Sequence, residues 1–81
     1  MMFRVKLFAV ARQRIGRDQL EIELPSAATV RHLRGALAEQ FPPLADVLAH
    51  ARIAVNSEYA ADSTPITASA ELALIPPVSG G

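Results

Sequence analysis

The 81 residues contain no cysteine and no tryptophan, only three phenylalanines and one tyrosine, and no excess of either charge. The missing cysteine excludes disulfide staples, thiolate metal sites and thiol nucleophiles together, and it fits a reducing compartment. Eight basic and eight acidic residues cancel. A nucleic-acid binder usually carries a basic stripe interleaved with aromatic rings, and neither is present here. Arg4, Lys6, Arg12, Arg14 and Arg17 gather near the N-terminus while the last third is acidic, a distribution that reads as a solvated edge. No apolar run approaches the roughly 20 residues that span a bilayer. The opening residues mix charges into an apolar stretch and carry no cleavage-like site, so neither export nor membrane anchoring is expected. The expected setting is the cytoplasm, with no nucleic acid and no membrane as partner.

Catalytic constellations are also scarce. Gly16 and Gly35 are isolated, so no glycine-rich phosphate loop exists. No Gly-x-Ser-x-Gly elbow frames a nucleophile. His32 and His50 lack the neighbours of a metal site and read as solvated helix residues. No metal, no bound cofactor and no activity of the chain on its own are expected. What the chain does have is enough apolar residue, 51%, for one modest core in one domain.

Residues 3–10 alternate, with Phe3, Val5, Leu7 and Ala9 on one face and Arg4 and Lys6 on the other, the period of a half-buried strand. Phe8 and Val10 interrupt the polar face; they either pack under a loop or mark a contact surface. Gly16 and Asp18 supply a turn. Residues 19–24 then alternate again, which predicts a hairpin that Pro25 ends. Thr29 is placed to cap a helix whose stripe is Val30, Leu33, Leu37 and Phe41, and Pro42-Pro43 stops it. Residues 44–51 are a shorter helical candidate. Residues 53–55 and 58–60 read as brief strands about an Asn56-Ser57 turn. Residues 62–69 form a loop anchored by Ile66, and residues 71–75 make a last strand.

This order predicts an α+β domain over residues 1–75: a mixed sheet of about five strands packed on one main helix, with a second short helix. That is the β-grasp arrangement of ubiquitin. Residues 76–81, Pro76-Pro77-Val78-Ser79-Gly80-Gly81, form a tail expected to be flexible at its tip. Two prolines cannot donate to a ladder, so the sheet releases the chain there on an extended path. Gly80 and Gly81 have no side chains, so the end can enter a channel that any Cβ would block. A terminal carboxylate is inert alone but becomes an acyl electrophile once a leaving group is attached.

The ending from Ile75 to Gly81 resembles that of the MoaD family of ubiquitin-like sulfur carriers, the small subunits of molybdopterin synthase. The likeness covers essentially the whole chain. Phe8-Ala9-Val10-Ala11-Arg12 followed by Gly16 looks like the family's first strand and turn. Val30, Leu33 and Leu37 match its helix, and Ala54-Val55-Asn56 its middle strand. One departure is a glycine-free stretch, Thr67-Ala68-Ser69-Ala70-Glu71, where the family usually has an acidic, glycine-containing turn.

The resemblance implies a chemistry. An ATP-using adenylyltransferase resembling ubiquitin E1 would adenylate Gly81, and a sulfur donor would convert it to a thiocarboxylate. The large synthase subunit, in an expected heterotetramer, would then pass the sulfur to cyclic pyranopterin monophosphate. Gly81 would carry the sulfur, while Gly80, Ser79, Val78, Pro77 and Pro76 would thread into the partner. Phe8, Tyr59 and Ile75 match the family's apolar docking positions, and Arg12 a contact with the activating enzyme. Tyr59 reads equally as a core-edge residue and Ile75 as an ordinary strand residue. Three other functions compete: a thiamine-pathway sulfur carrier, which usually lacks the Pro-Pro pair, a ubiquitin-like protein modifier, and a plain interaction domain with an inert tail.

Overall fold

The computed structural model describes residues 1–77. Alternation builds the first strand as expected: β1 (Met2–Leu7) buries Phe3, Val5 and Leu7 and exposes the residues between them. The strand then stops two or three residues earlier than its apolar pattern suggests. Ala9 has a φ of 50°, in the left-handed region, and the chain turns there into a helix, α1 (Ala9–Ile15). Gly16 (φ 79°) ends that helix in the left-handed conformation, its N–H donating to the Arg12 carbonyl at 2.8 Å. So Phe8 to Arg12 is not strand and turn, and Gly16 is a helix cap. The second strand, β2 (Gln19–Glu23), does pair antiparallel with β1, from Met2↔Glu23 to Lys6↔Gln19. The pairing of the expected hairpin is present; its connection is helical.

The main helix, α2 (Val30–Gln40), buries Val30, Leu33 and Leu37. Its first turn is held in two ways. The Thr29 N–H donates to Nδ1 of His32 at 2.9 Å, and loop carbonyls of Thr64 and Asp62 accept from Val30 and Arg31 at 3.0 and 2.9 Å. His32 is therefore exposed but engaged as a cap. Phe41 lies just past the helix as its C-cap, partly buried against the core, because Pro42 excludes it from the helical region. A 3₁₀ turn (Pro42–Leu44) and a four-residue helix, α3 (Ala45–Leu48), follow, and His50 sits beyond α3 in a turn.

The strands β3 (Arg52–Val55) and β4 (Glu58–Tyr59) are joined by Asn56 and Ser57, both with positive φ, the geometry of a primed two-residue hairpin turn. The last strand, β5 (Leu72–Ile75), runs between β1 and β3, parallel to the first and antiparallel to the second. The sheet order is β2-β1-β5-β3-β4. One face meets α2 through Phe3, Val5, Leu7, Leu20, Ile22, Ile53, Leu72 and Leu74, and Ile66 closes the core from the long loop. This is the five-stranded mixed sheet on one main helix expected from the pattern.

One residue ties the helices to the loops. The guanidinium of Arg34 on α2 donates to the carbonyls of Leu48 at 3.0 Å and Ala51 at 2.8 Å, and to Asp62 at 3.0 Å. On α1, Arg14 pairs with Asp46 of α3 and donates to the Pro43 carbonyl at 3.2 Å. The hydrogen bond from Arg14 holds the Asp46 carboxyl below the usual carboxylate range.

Candidate functional site

The side of the sheet away from α2 divides into two halves. Over β2 and the start of β1 it carries Met2, Arg4, Gln19, Glu21 and Glu23, all exposed. Over β5, β3 and β4 the outward positions are Ala73 and Ile75, Arg52 and Ala54, and Tyr59. Two registers fix their rows: Ala73↔Ala54↔Tyr59 and Ile75↔Arg52. Phe8 completes the second row, because the parallel pairing Leu7↔Leu74 brings the next residues of both strands to the same edge. Small alanines make a floor, with Phe8 (47% exposed) and Tyr59 (61% exposed) as walls. The resulting open concavity of about 400 Å³ is lined by Lys6, Phe8, Ala54, Ser57, Tyr59, Glu71, Ala73 and Ile75.

The chain leaves the sheet from this edge. Pro76 is buried and Pro77 exposed. A groove lined by Phe8, Ala9, Val10 and Gln13 flanks the two prolines on one side, and one lined by His50, Arg52 and Tyr59 on the other. The left-handed turn at Ala9 swings α1 away and leaves Phe8 standing at the exit. The Arg52 guanidinium stacks on the Tyr59 ring, 4.9 Å from its centre, which holds the ring upright on a two-residue edge strand.

Of the residues singled out in the sequence, Phe8, Tyr59, Ile75, Pro76 and Pro77 are brought together. Tyr59 is not at the core edge; it stands in solvent. Arg12 lies apart, on the far side of Phe8, exposed and paired with Asp18 at 3.0 Å. Val78, Ser79, Gly80 and Gly81 lie outside the described residues. The sequence reading missed Arg52, His50, Lys6, Ala54 and Ala73. The two alanines had a signal: each sits on the outward phase of a strand where a polar residue is the usual occupant. Glu71 of the glycine-free turn is positioned by the Asn56 side chain, which accepts its N–H at 2.9 Å, and forms an ion pair with Lys6 at 3.7 Å.

Among the described residues no group of three or more His, Asp or Glu is placed to hold a metal ion. No helix among them is long and apolar enough to cross a membrane. What the arrangement offers chemically is a shaped apolar surface around an emerging chain.

The sequence matches the ThiS family over residues 5–81. It is 40% identical over 78 residues to a molybdopterin synthase sulfur carrier subunit of Arabidopsis thaliana, covering 96% of this chain and 81% of the relative. Among solved structures, SAMP1 of Haloferax volcanii aligns with a TM-score of 0.85 at 32% identity and full coverage of both chains. A complex of subunits 1 and 2 of the molybdopterin-converting factor of Helicobacter pylori contains a chain that aligns over the full length of both, with a TM-score of 0.69 at 27% identity. These relatives bear out the resemblance carried by the PPVSGG ending, and the structural ones bear out the ubiquitin-like fold.

Proposed function

The chain belongs to the ThiS family, whose profile it matches from residue 5 to residue 81, and from that premise we propose that it is the sulfur carrier subunit of a molybdopterin synthase. The observation that carries the proposal is the convergence at one sheet edge. An exposed, largely apolar face surrounds the point where a Pro-Pro-Val-Ser-Gly-Gly segment departs. A partner seated on Phe8, Tyr59 and Ile75 receives the following residues into its own active site.

The chemistry proposed for Gly81 runs in three steps. A carboxylate oxygen attacks the α-phosphorus of ATP on an adenylyltransferase, and pyrophosphate leaves. Sulfur at the hydrosulfide level, from a donor enzyme, attacks the acyl carbon and displaces AMP, leaving a thiocarboxylate. In the synthase the thiocarboxylate sulfur displaces an oxygen substituent from a carbon of cyclic pyranopterin monophosphate, giving a thioester. Water then cleaves its acyl–sulfur bond to return the carboxylate and leave the sulfur on the pterin. The carrier supplies the reacting atom and the docking face; acids, bases and the pterin pocket belong to the large subunit. ATP is used by the activating partner and not held by this chain.

Intact mass spectrometry after incubation with an adenylyltransferase, ATP and a sulfur source tests this. The terminal carboxylate should gain one sulfur in place of one oxygen. An unchanged acid under conditions that charge a related carrier rejects the proposal.

A second reading is favoured by the likeness to SAMP1, one of the small archaeal modifier proteins: a modifier joined through its terminus to lysines of other proteins. Isopeptide-linked conjugates recovered from cells under denaturing conditions, together with full molybdenum-enzyme activity in a deletion strain, would favour that reading over the carrier.

A further inference from the structure

Seven of the eight basic side chains are arginine, and Lys6 is the one lysine. An acyl electrophile separates the two chemistries sharply. Guanidinium stays protonated in proteins and offers no lone pair, whereas an ammonium that sheds its proton is a nucleophile. A protein whose own terminus is activated therefore carries a single side-chain amine able to consume it as a stable amide.

The position of that side chain adds to the argument. Lys6 lies on the outward phase of β1, its side chain 51% exposed, on the rim of the concavity that Phe8, Ala73 and Tyr59 shape. Glu71 Oε1 is 3.7 Å from its Nζ, a carboxylate within reach of the proton the amine must lose. The Met1 amine, by contrast, is engaged by the Glu23 carboxylate and by the Leu24 carbonyl at 2.9 Å, at the opposite end of β1.

We propose that Lys6 is a modification site at which the activated Gly81 of a second copy forms an isopeptide bond. This rests on the reading that the terminus is activated. The Nζ lone pair forms the bond to the Gly81 carbonyl carbon, the acyl–oxygen bond to AMP breaks, and AMP leaves with the electron pair. The amine's proton passes to Glu71 or to solvent, and nothing is oxidised or reduced. A side-chain-free Gly-Gly tip fits an open apolar depression with an alanine floor. The chain's own exit runs through Pro76 and Pro77, whose φ is fixed, so a second copy is the donor proposed. Because the linked copy covers the face at the exit, a carrier modified at Lys6 can no longer seat a partner there. Partner docking and self-acylation are mutually exclusive uses of one surface.

The test uses the full chain bearing Gly81 as a chemically installed α-thioester, a surrogate for the acyl-adenylate. At neutral pH and high protein concentration a covalent dimer lacking the thiol should form, with a Gly81–Lys6 isopeptide in its tandem mass spectrum. Lys6→Arg, its fold checked by circular dichroism, should lose the dimer, and so should wild-type protein acetylated at Lys6. No dimer, a dimer that persists in Lys6→Arg, or a cyclised monomer in its place overturns the proposal. The thioester is supplied without any activating enzyme, so a negative result here leaves the sulfur-carrier reading untouched. That reading stands or falls on the thiocarboxylate mass.

Discussion

Phe3 and Phe8 belong to the same short stretch of chain and meet opposite fates. Phe3 is wholly buried beneath α2, and Phe8 stands 47% exposed beside the chain exit. Their spacing is odd, so a pleated strand must send them to opposite faces. The difference teaches how little of the hydrophobic inventory a small domain can afford to leave outside, and where it does so. Apolar side chains on the inner face hold the fold together. On the outer face Phe8, Ile75 and Tyr59 gather on the β5, β3 and β4 half, where the chain leaves, while the β2 half is mostly charged, with Met2 its one large apolar side chain.

The comparison can be broken most severely from inside. Phe3→Ala should cost about 3–5 kcal/mol, since the ring is fully buried and its loss leaves a cavity in the core. Urea unfolding would read this, and a loss below 1 kcal/mol would show that the site relaxes. Phe8→Asp should leave the urea midpoint within the equivalent of about 1 kcal/mol. It should also weaken capture by a large synthase subunit by at least about tenfold. Equal losses of folding and binding would make Phe8 a structural residue.

Arg34→Ala should cost about 2 kcal/mol, because two backbone carbonyls and Asp62 lose a charged donor together. Arg34→Lys should recover less than half, as one ammonium cannot replace the fork. Ser57→Gly should raise stability by about 0.5–1 kcal/mol, glycine being at ease at the positive φ that serine adopts there. A drop would mean that the Ser57 side chain contributes to the rim of the concavity. The smallest effect concerns pH. Asp46 is depressed by Arg14, so its contribution is present above the ordinary carboxylate range and is lost as pH falls through the lowered value. Asp46→Asn should flatten that acid limb slightly, by removing the small contribution at neutral pH while leaving stability at low pH unchanged.

The sequence announced whatever depends on period. Alternation in β1 and β2, the Val30-Leu33-Leu37 stripe, the stop at Pro42 and the Asn56-Ser57 turn are local consequences of pattern. Helix α1 was hidden for an equally local reason. It starts on Phe8 without a serine, threonine or aspartate cap, turns through an alanine at positive φ where glycine is the usual signal, and buries only Ala11. Its apolar residues therefore read as more strand. Arg34 was illegible on different grounds, since two of its acceptors are main-chain carbonyls 14 and 17 positions away. No residue type at those positions encodes the contact. In the site, the family resemblance marked Phe8, Tyr59 and Ile75. Arg52 and Lys6 emerged only once the register had set them beside those residues.

The strand order has a temporal corollary. The parallel β1–β5 pair at the middle of the sheet joins the first strand to the last of the elements. During synthesis both half-sheets are made before the strand that unites them. Neither half has the core to persist alone. Nascent chains tethered by a C-terminal linker that leaves residues 72–75 inside the exit tunnel should stay sensitive to protease, and protection should arrive in one step when a longer linker lets those residues clear it.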